Sequence, residues 1–188
     1  MRYQCIDVAA DCKIEVWDDV FSLAVRTKAF MFMQNSYFKL GWNDGPAPEW
    51  RSHDSFLHST YNEADIRSLG IVQALRDTAV YDSIAGLEVS RGIVNLSVPV
   101  DSHHVHAHAE DHKVLLYYGN LEWKDGWHGE TLFYSEDLRD IVWAGPYTPG
   151  RVIVFNGRIP HCIRPQSIIA PVHRYTFAMC LNPPGAGA

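Results

Sequence analysis

Residues 101–112 read Asp101-Ser-His103-His104-Val-His106-Ala-His108-Ala-Glu110-Asp-His112, so five of the chain's ten histidines fall in one short stretch. In a β-strand, alternate side chains share a face, which would place His104, His106, His108 and Glu110 together. Two ligands two residues apart on one strand reach a single metal ion, and the third must arrive from elsewhere in the sequence. His161, after Phe155-Asn-Gly-Arg-Ile-Pro, is the candidate, because it follows a strand and a turn. From His108 to His161 is 161 − 108 = 53 positions, enough for several antiparallel strands, so the two can meet across a barrel.

The sequence on either side supports that reading. After about residue 90 come short runs rich in Val, Ile, Tyr, Phe and Thr, bounded by Gly, Pro, Asp and Asn: Gly92–Val100, His112–Trp123, Glu130–Ser135, Arg151–Gly157 and His173–Leu181. Short strands at this spacing predict a sandwich or barrel. Before residue 90, helical spacing dominates. Val20, Phe21, Ala24 and Met31 suit one face of a helix from about Trp17 to Phe38. Ile66, Leu69, Val72, Leu75 and Ala79 suit a second helix, with Thr60 or Asn62 as candidate caps. Residues 41–48 are a Gly/Pro/Asn/Asp loop whose Trp42, with Trp50 just beyond, is placed to form a lid or substrate wall. The expected class is α+β: one domain over 1–188, with 1–90 mainly helical support and 91–182 a double-stranded β-helix (a jelly-roll, cupin-like barrel) carrying the metal site.

With 188 residues, 47% apolar and 20% charged, the protein is large enough to bury a core without disulfide staples. The net charge of −6, with no Lys/Arg cluster, argues against nucleic acid as a partner. No apolar run is long enough to cross a bilayer, and no apolar leader opens the sequence. Cys5, Cys12, Cys162 and Cys180 form no CxxC pair, which suits reduced thiols in a cytoplasm.

Imidazoles joined by a carboxylate, with coordination positions left open, are the donor set of non-haem iron(II) oxygenases. Zinc also accepts histidine, but structural zinc sites usually recruit cysteine, and none lies near this stretch. The alternative is a row of surface histidines on an exposed strand.

From His106 to Thr176 the sequence resembles the prolyl-4-hydroxylase-like branch of the iron(II)/2-oxoglutarate oxygenases. The motifs are His108-Ala-Glu110, Tyr117-Tyr-Gly-Asn-Leu-Glu-Trp123, His128-Gly-Glu-Thr-Leu-Phe133, Pro149-Gly-Arg-Val-Ile-Val-Phe155, His161 and Arg174-Tyr-Thr176, in the family's order. The resemblance implies a barrel holding Fe(II) on His108 and His161. It also implies that Arg174 pairs with the distal carboxylate of 2-oxoglutarate, with Tyr118 as a further contact. A planar guanidinium suits a carboxylate fork, and a charge in the apolar run His173–Leu181 calls for an anion. Thr176 shares the face of Arg174 and could donate to the same carboxylate. Thr131 and Trp123 read as structural, and Arg164 as a substrate or cosubstrate contact or a loop cap, Arg174 being favoured for the cosubstrate because it lies within the strand the family uses. The family's usual second ligand is Asp, and no H-x-D occurs here. Either His108 and Glu110 form an H-x-E variant, or His106 and His108 complete a three-histidine site. Halogenating relatives carry Gly or Ala at the carboxylate position, and no histidine of this cluster is followed by either two positions on.

The implied reaction consumes 2-oxoglutarate and O₂, releases succinate and CO₂, and hydroxylates or otherwise oxidises a C–H bond of a small-molecule or amino-acid-like substrate. Two rivals differ in kind. A cupin-type metalloenzyme would use His106-Ala-His108 without 2-oxoglutarate and leave Arg174 unexplained. A non-catalytic jelly-roll binding module would need no metal at all.

Overall fold

The structure, a computed structural model, describes residues 1–42, 56–99 and 103–185. Eight strands form one antiparallel sheet: β1 (Arg2–Ala9), β2 (Cys12–Asp18), β3 (Lys39–Trp42), β4 (Phe56–Tyr61), β5 (Glu88–Ser97), β6 (Lys113–Tyr118), β9 (Val152–Asn156) and β11 (Arg174–Asn182). Their order is β1-β2-β9-β6-β11-β5-β4-β3. A smaller sheet, β10-β7-β8, holds β7 (Thr131–Tyr134), β8 (Ile141–Gly145) and β10 (His161–Ile163). The large sheet's two faces bury different sets of side chains, because successive residues alternate. Val114, Leu116, Ile153 and Phe155 pack with Phe133 of the small sheet, closing the barrel. Leu115, Tyr117, Val154, Phe177 and Met179 face the other way, onto the helices. Those helices are α1 (Leu23–Gln34), α2 (Glu63–Ser68), α3 (Gly70–Leu75) and α4 (Ala79–Asp82), which bury Met33, Ile66, Leu75 and Val80. This is the expected α+β barrel with helical support. No helix among the described residues is long and apolar enough to cross a membrane.

The N-terminal third departs from the expectation of mainly helical support. It opens with a hairpin, β1 on β2, turned at Asp11 (φ 58°), and β2 then lengthens the large sheet by pairing with β9. Ile14 and Val16, fully buried, insert beside Phe155 and Ile153. Their period of two is a strand signal, whereas the helical spacing begins only later. The helix expected from Trp17 starts at Leu23, where the Ser22 hydroxyl accepts from the Val25 amide at 3.4 Å. The second expected helix is three short pieces. Asn62 caps the first, accepting from Asp65 at 3.0 Å, and Leu69 interrupts it with an extended backbone (φ −68°, ψ 129°). The loop carrying Trp50 lies outside the described residues.

Arg151 fastens the N-terminal hairpin to the barrel. Its Nε and Nη2 donate to the two carboxylate oxygens of Asp18 at 2.7 and 2.9 Å, with both side chains largely buried. These hydrogen bonds, more than the opposing burial, hold the Asp18 carboxyl below its ordinary 3.8. A lowered folded-state pKa gives stability that is fully present above the unfolded value and is lost as pH falls through the folded one. Asp18→Asn should therefore destabilise the fold by about 2 kcal/mol near neutral pH. In urea titrations the gap between variant and wild type should close once the pH passes below the folded-state value; a gap constant with pH would reject the assignment.

Candidate metal centre and anion pocket

The histidine stretch is not a continuous strand. His106 makes an isolated antiparallel bridge with His161, the first residue of β10: each amide donates to the other's carbonyl, at 3.0 and 2.9 Å. Two residues on, the His108 amide donates to Gly157 O at 2.7 Å. Gly157 allows this approach, because a Cβ there would sit 2.8 Å from Ala109 O and 3.0 Å from the Cβ of His108. The period of two thus holds from His106 to His108 and then ends. The backbone turns at 109–112, with the His112 amide donating to Ala109 O at 3.1 Å.

Backbone pairing and turn together sort the candidates. One ligand nitrogen from each of His106, His108 and His161 lies within 4.8 Å of the others. The imidazole centroids are 4.4 to 5.4 Å apart. Glu110 is carried outward by the turn: its side chain is 80% exposed and accepts from Arg158 Nη1 at 2.9 Å. His104 is likewise outside the cluster, so of the four side chains expected on one face only His106 and His108 converge. His161 is 7% exposed, and its Nδ1 lies 2.9 Å from Ile159 O. His106 Nδ1 lies 3.3 Å from His104 O. A carbonyl can only accept, so both Nδ1 atoms carry the proton and both Nε2 atoms keep a lone pair for a ligand. The three imidazoles line a cavity of about 210 Å³ with Asn95, Leu116, Thr131 and Ala178.

Arg174 adjoins this cavity through Thr131. It is 0% exposed. Nε donates to Gly129 O at 2.8 Å and Nη2 to Thr131 Oγ1 at 3.4 Å. The guanidinium lies over the rings of Tyr147 and Tyr118, 4.9 and 5.4 Å from their centroids. Among the described residues Nη1 has no hydrogen-bond partner and no carboxylate lies within ion-pair distance of Arg174, although Glu130 acts on it at longer range. Burial pulls the guanidinium pKa down from its ordinary value, although arginine remains charged. Thr176, also 0% exposed, leaves Oγ1 without a hydrogen-bond partner among the described residues. Across the strands, Thr176 pairs with Asn95 and Arg174 with Ser97, and among the same residues Asn95 Oδ1 and Ser97 Oγ have no partner either. Unsatisfied buried polar atoms are costly, and here several adjoin one buried guanidinium.

Tyr118 sits beside this pocket, but its hydroxyl is already engaged, 2.8 Å from Thr131 Oγ1 and 3.3 Å from Gly145 O. Burial raises its pKa, so it is a neutral wall. Trp123 donates to His128 O at 2.9 Å, a structural contact, and Arg164 pairs with Glu130 at 3.6 Å. Tyr147, which stacks on Tyr118 and reaches Asn120 Oδ1 at 2.6 Å, carries no local sequence signal for this role. Nor does Gln166, whose Oε1 accepts from the Arg174 amide at 2.7 Å.

No protein-family model matches the sequence, and no curated protein does. Solved structures do match by shape. A prolyl-4-hydroxylase from Pseudomonas putida superposes with a TM-score of 0.64 at 14% identity, over 95% of this chain and 96% of that one. A prolyl hydroxylase from Trichoplax adhaerens, in complex with a hypoxia-inducible-factor peptide fragment, gives 0.59 at 14%, over 90% and 83%. HygX from Streptomyces hygroscopicus, with nickel and 2-oxoglutarate bound, gives 0.56 at 11%, over 92% and 83%. The protein thus has the fold of the 2-oxoglutarate/iron(II) oxygenases, and its likeness to the prolyl-hydroxylase branch extends over nearly its whole length.

Proposed function

We propose that this protein is a non-haem iron(II)- and 2-oxoglutarate-dependent oxygenase, with iron on His106, His108 and His161 and the cosubstrate's distal carboxylate on Arg174 and Thr176. The observation that carries the reading is the buried Arg174 guanidinium, its Nη1 without a partner among the described residues, beside the likewise unpartnered Thr176 hydroxyl and next to a cavity lined by three convergent imidazoles. The donors fit the metal: neutral imidazoles suit iron among the first-row ions, and three protein donors leave positions open. Iron held there would supply the chemistry by which 2-oxoglutarate, O₂ and a substrate R–H give succinate, CO₂ and R–OH.

The protein's own groups have separable tasks. Arg174 supplies two parallel donors to a carboxylate, and Thr176 a third. Tyr118 and Tyr147 wall the guanidinium from water, which strengthens its field on the anion. The carbonyls of Ile159 and His104 fix the imidazole tautomers. The substrate is a small molecule or amino acid. All four cysteines are unbridged, which suits work in a cytoplasm.

A second reading has one observation in its favour: all three donors are imidazoles, as in a cupin that acts without 2-oxoglutarate. It leaves the Arg174 pocket without a purpose. Purified protein given iron(II), ascorbate and 2-oxoglutarate should form succinate in an iron-dependent way, and without oxygen it should develop a visible charge-transfer band on adding 2-oxoglutarate. Iron binding without succinate or band would reject the oxygenase reading in favour of the cupin.

A further inference from the structure

An outer chamber of about 320 Å³ adjoins the metal cavity, with His108 and Cys180 in the wall of both. Its size is at the small end of the range for ligand sites, about 300–1,000 Å³. Asn182, the last residue of β11, lines the chamber. It is only 4% exposed, and its Oδ1 has no hydrogen-bond partner among the described residues. A buried acceptor without a donor is costly unless a ligand supplies one. Ser90, on the paired strand β5, lines the same chamber. Its hydroxyl donates to Cys180 O at 3.2 Å, so what it keeps for a ligand is a lone pair, a second acceptor.

Resting on the oxygenase reading for its chemistry, we propose that this outer chamber is the substrate site and that it anchors an amide group of a small molecule on Asn182. A side-chain amide carries an acceptor and donors side by side in one plane. A ligand amide presents the complementary pair: its N–H donates to Asn182 Oδ1, and its carbonyl accepts from Nδ2. Other groups fill only half of this arrangement. An ammonium brings donors alone, and an ester or a tertiary amide brings an acceptor alone and leaves Oδ1 unsatisfied. The second hydrogen of a primary amide has Ser90 Oγ as a further acceptor on the same wall. Asn182 borders the outer chamber, whereas His108 borders both spaces, so the anchored amide sits away from the metal and the molecule's other end, with the C–H bonds to be oxidised, lies towards it.

The test is calorimetric titration of the purified protein with the primary amides of the L-amino acids and, for each that binds, its methyl ester and its N,N-dimethylamide. These keep the carbonyl and the side chain and remove only the N–H donors. At least one amide should bind, and its ester and dimethylamide about fivefold or more weakly, the loss expected when one buried acceptor goes unpaired. Asn182→Leu should remove that difference, and Asn182→Asp, which keeps an acceptor but no donor, should preserve part of it, with folding of both confirmed by thermal melts. Absence of binding by every amide, or an ester that binds as well as its amide, overturns the proposal even if a variant fails to fold. So does a folded Asn182→Leu that still tells amide from ester. Iron content and the anaerobic 2-oxoglutarate band are recorded on the same preparation. Their absence counts against the oxygenase reading, whereas the contrast of amide with ester reports on the chamber alone.

Discussion

Replacing His106 with alanine is expected to weaken iron(II) binding by at least about 100-fold, because even loss of a group that only orients a ligand costs 10–100-fold. Replacing Glu110 with alanine is expected to leave iron binding unchanged. The two substitutions separate the three-histidine site from the H-x-E pair that the sequence alone leaves open. The fold should survive both. His106 is tied to His161 through backbone groups that alanine keeps. Among the described residues Glu110 makes a surface contact with Arg158, and such contacts contribute little. Iron is read by anaerobic titration, with a thermal melt of each variant alongside. Loss of iron in Glu110→Ala with retention in His106→Ala would restore the carboxylate as ligand and require the 109–112 turn to unfold toward the metal.

The reasons that pair was open in the sequence show where its information ends. Alternation holds only while the backbone stays extended, and the one turn-favouring residue here, Asp111, follows Glu110 and so does not tell whether the chain leaves the strand before or after it. The turn is fixed at long range, by the His112 carbonyl accepting from Gly157. The strands carrying the rest of the site were legible because they are buried on both faces: β6, β9 and β11 read as near-continuous apolar runs whatever packs on them. Arg174 was legible for the same reason, as a charge inside such a run. The N-terminal hairpin was not. β1 is mostly exposed, so its side chains carry little pattern, and the helical spacing just downstream dominates the window. β8, at the edge of the small sheet, is similarly exposed over most of its length. The polar network of Asn120, Tyr147 and Tyr175 joins residues far apart in sequence through one hydroxyl, and nothing local encodes it.

Arg174→Met is expected to abolish the response to 2-oxoglutarate without lowering the stability of the ligand-free protein. In the wild type the desolvated guanidinium has no carboxylate within ion-pair distance among the described residues and feels Glu130 only at longer range, so trading it for an apolar group of similar volume removes more desolvation than attraction. Against that, Gly129 O and Thr131 Oγ1 each lose a donor, at about 1 kcal/mol apiece. Relief of the desolvation, several kcal/mol for an ion, is the larger quantity. A ligand bound only by the folded state stabilises it by about 2.7 kcal/mol at 100 times its Kd, so 2-oxoglutarate should raise the wild-type melting temperature and leave that of Arg174→Met where it is. Arg174→Lys keeps the charge but offers a point donor in place of a fork, and should respond weakly. A full thermal shift in Arg174→Met would place the cosubstrate elsewhere. A ligand-free variant several degrees less stable than wild type would make the guanidinium a structural cation held by Gly129, Thr131 and the two tyrosine faces, and would leave the orphaned Thr176 hydroxyl without a ligand to satisfy it.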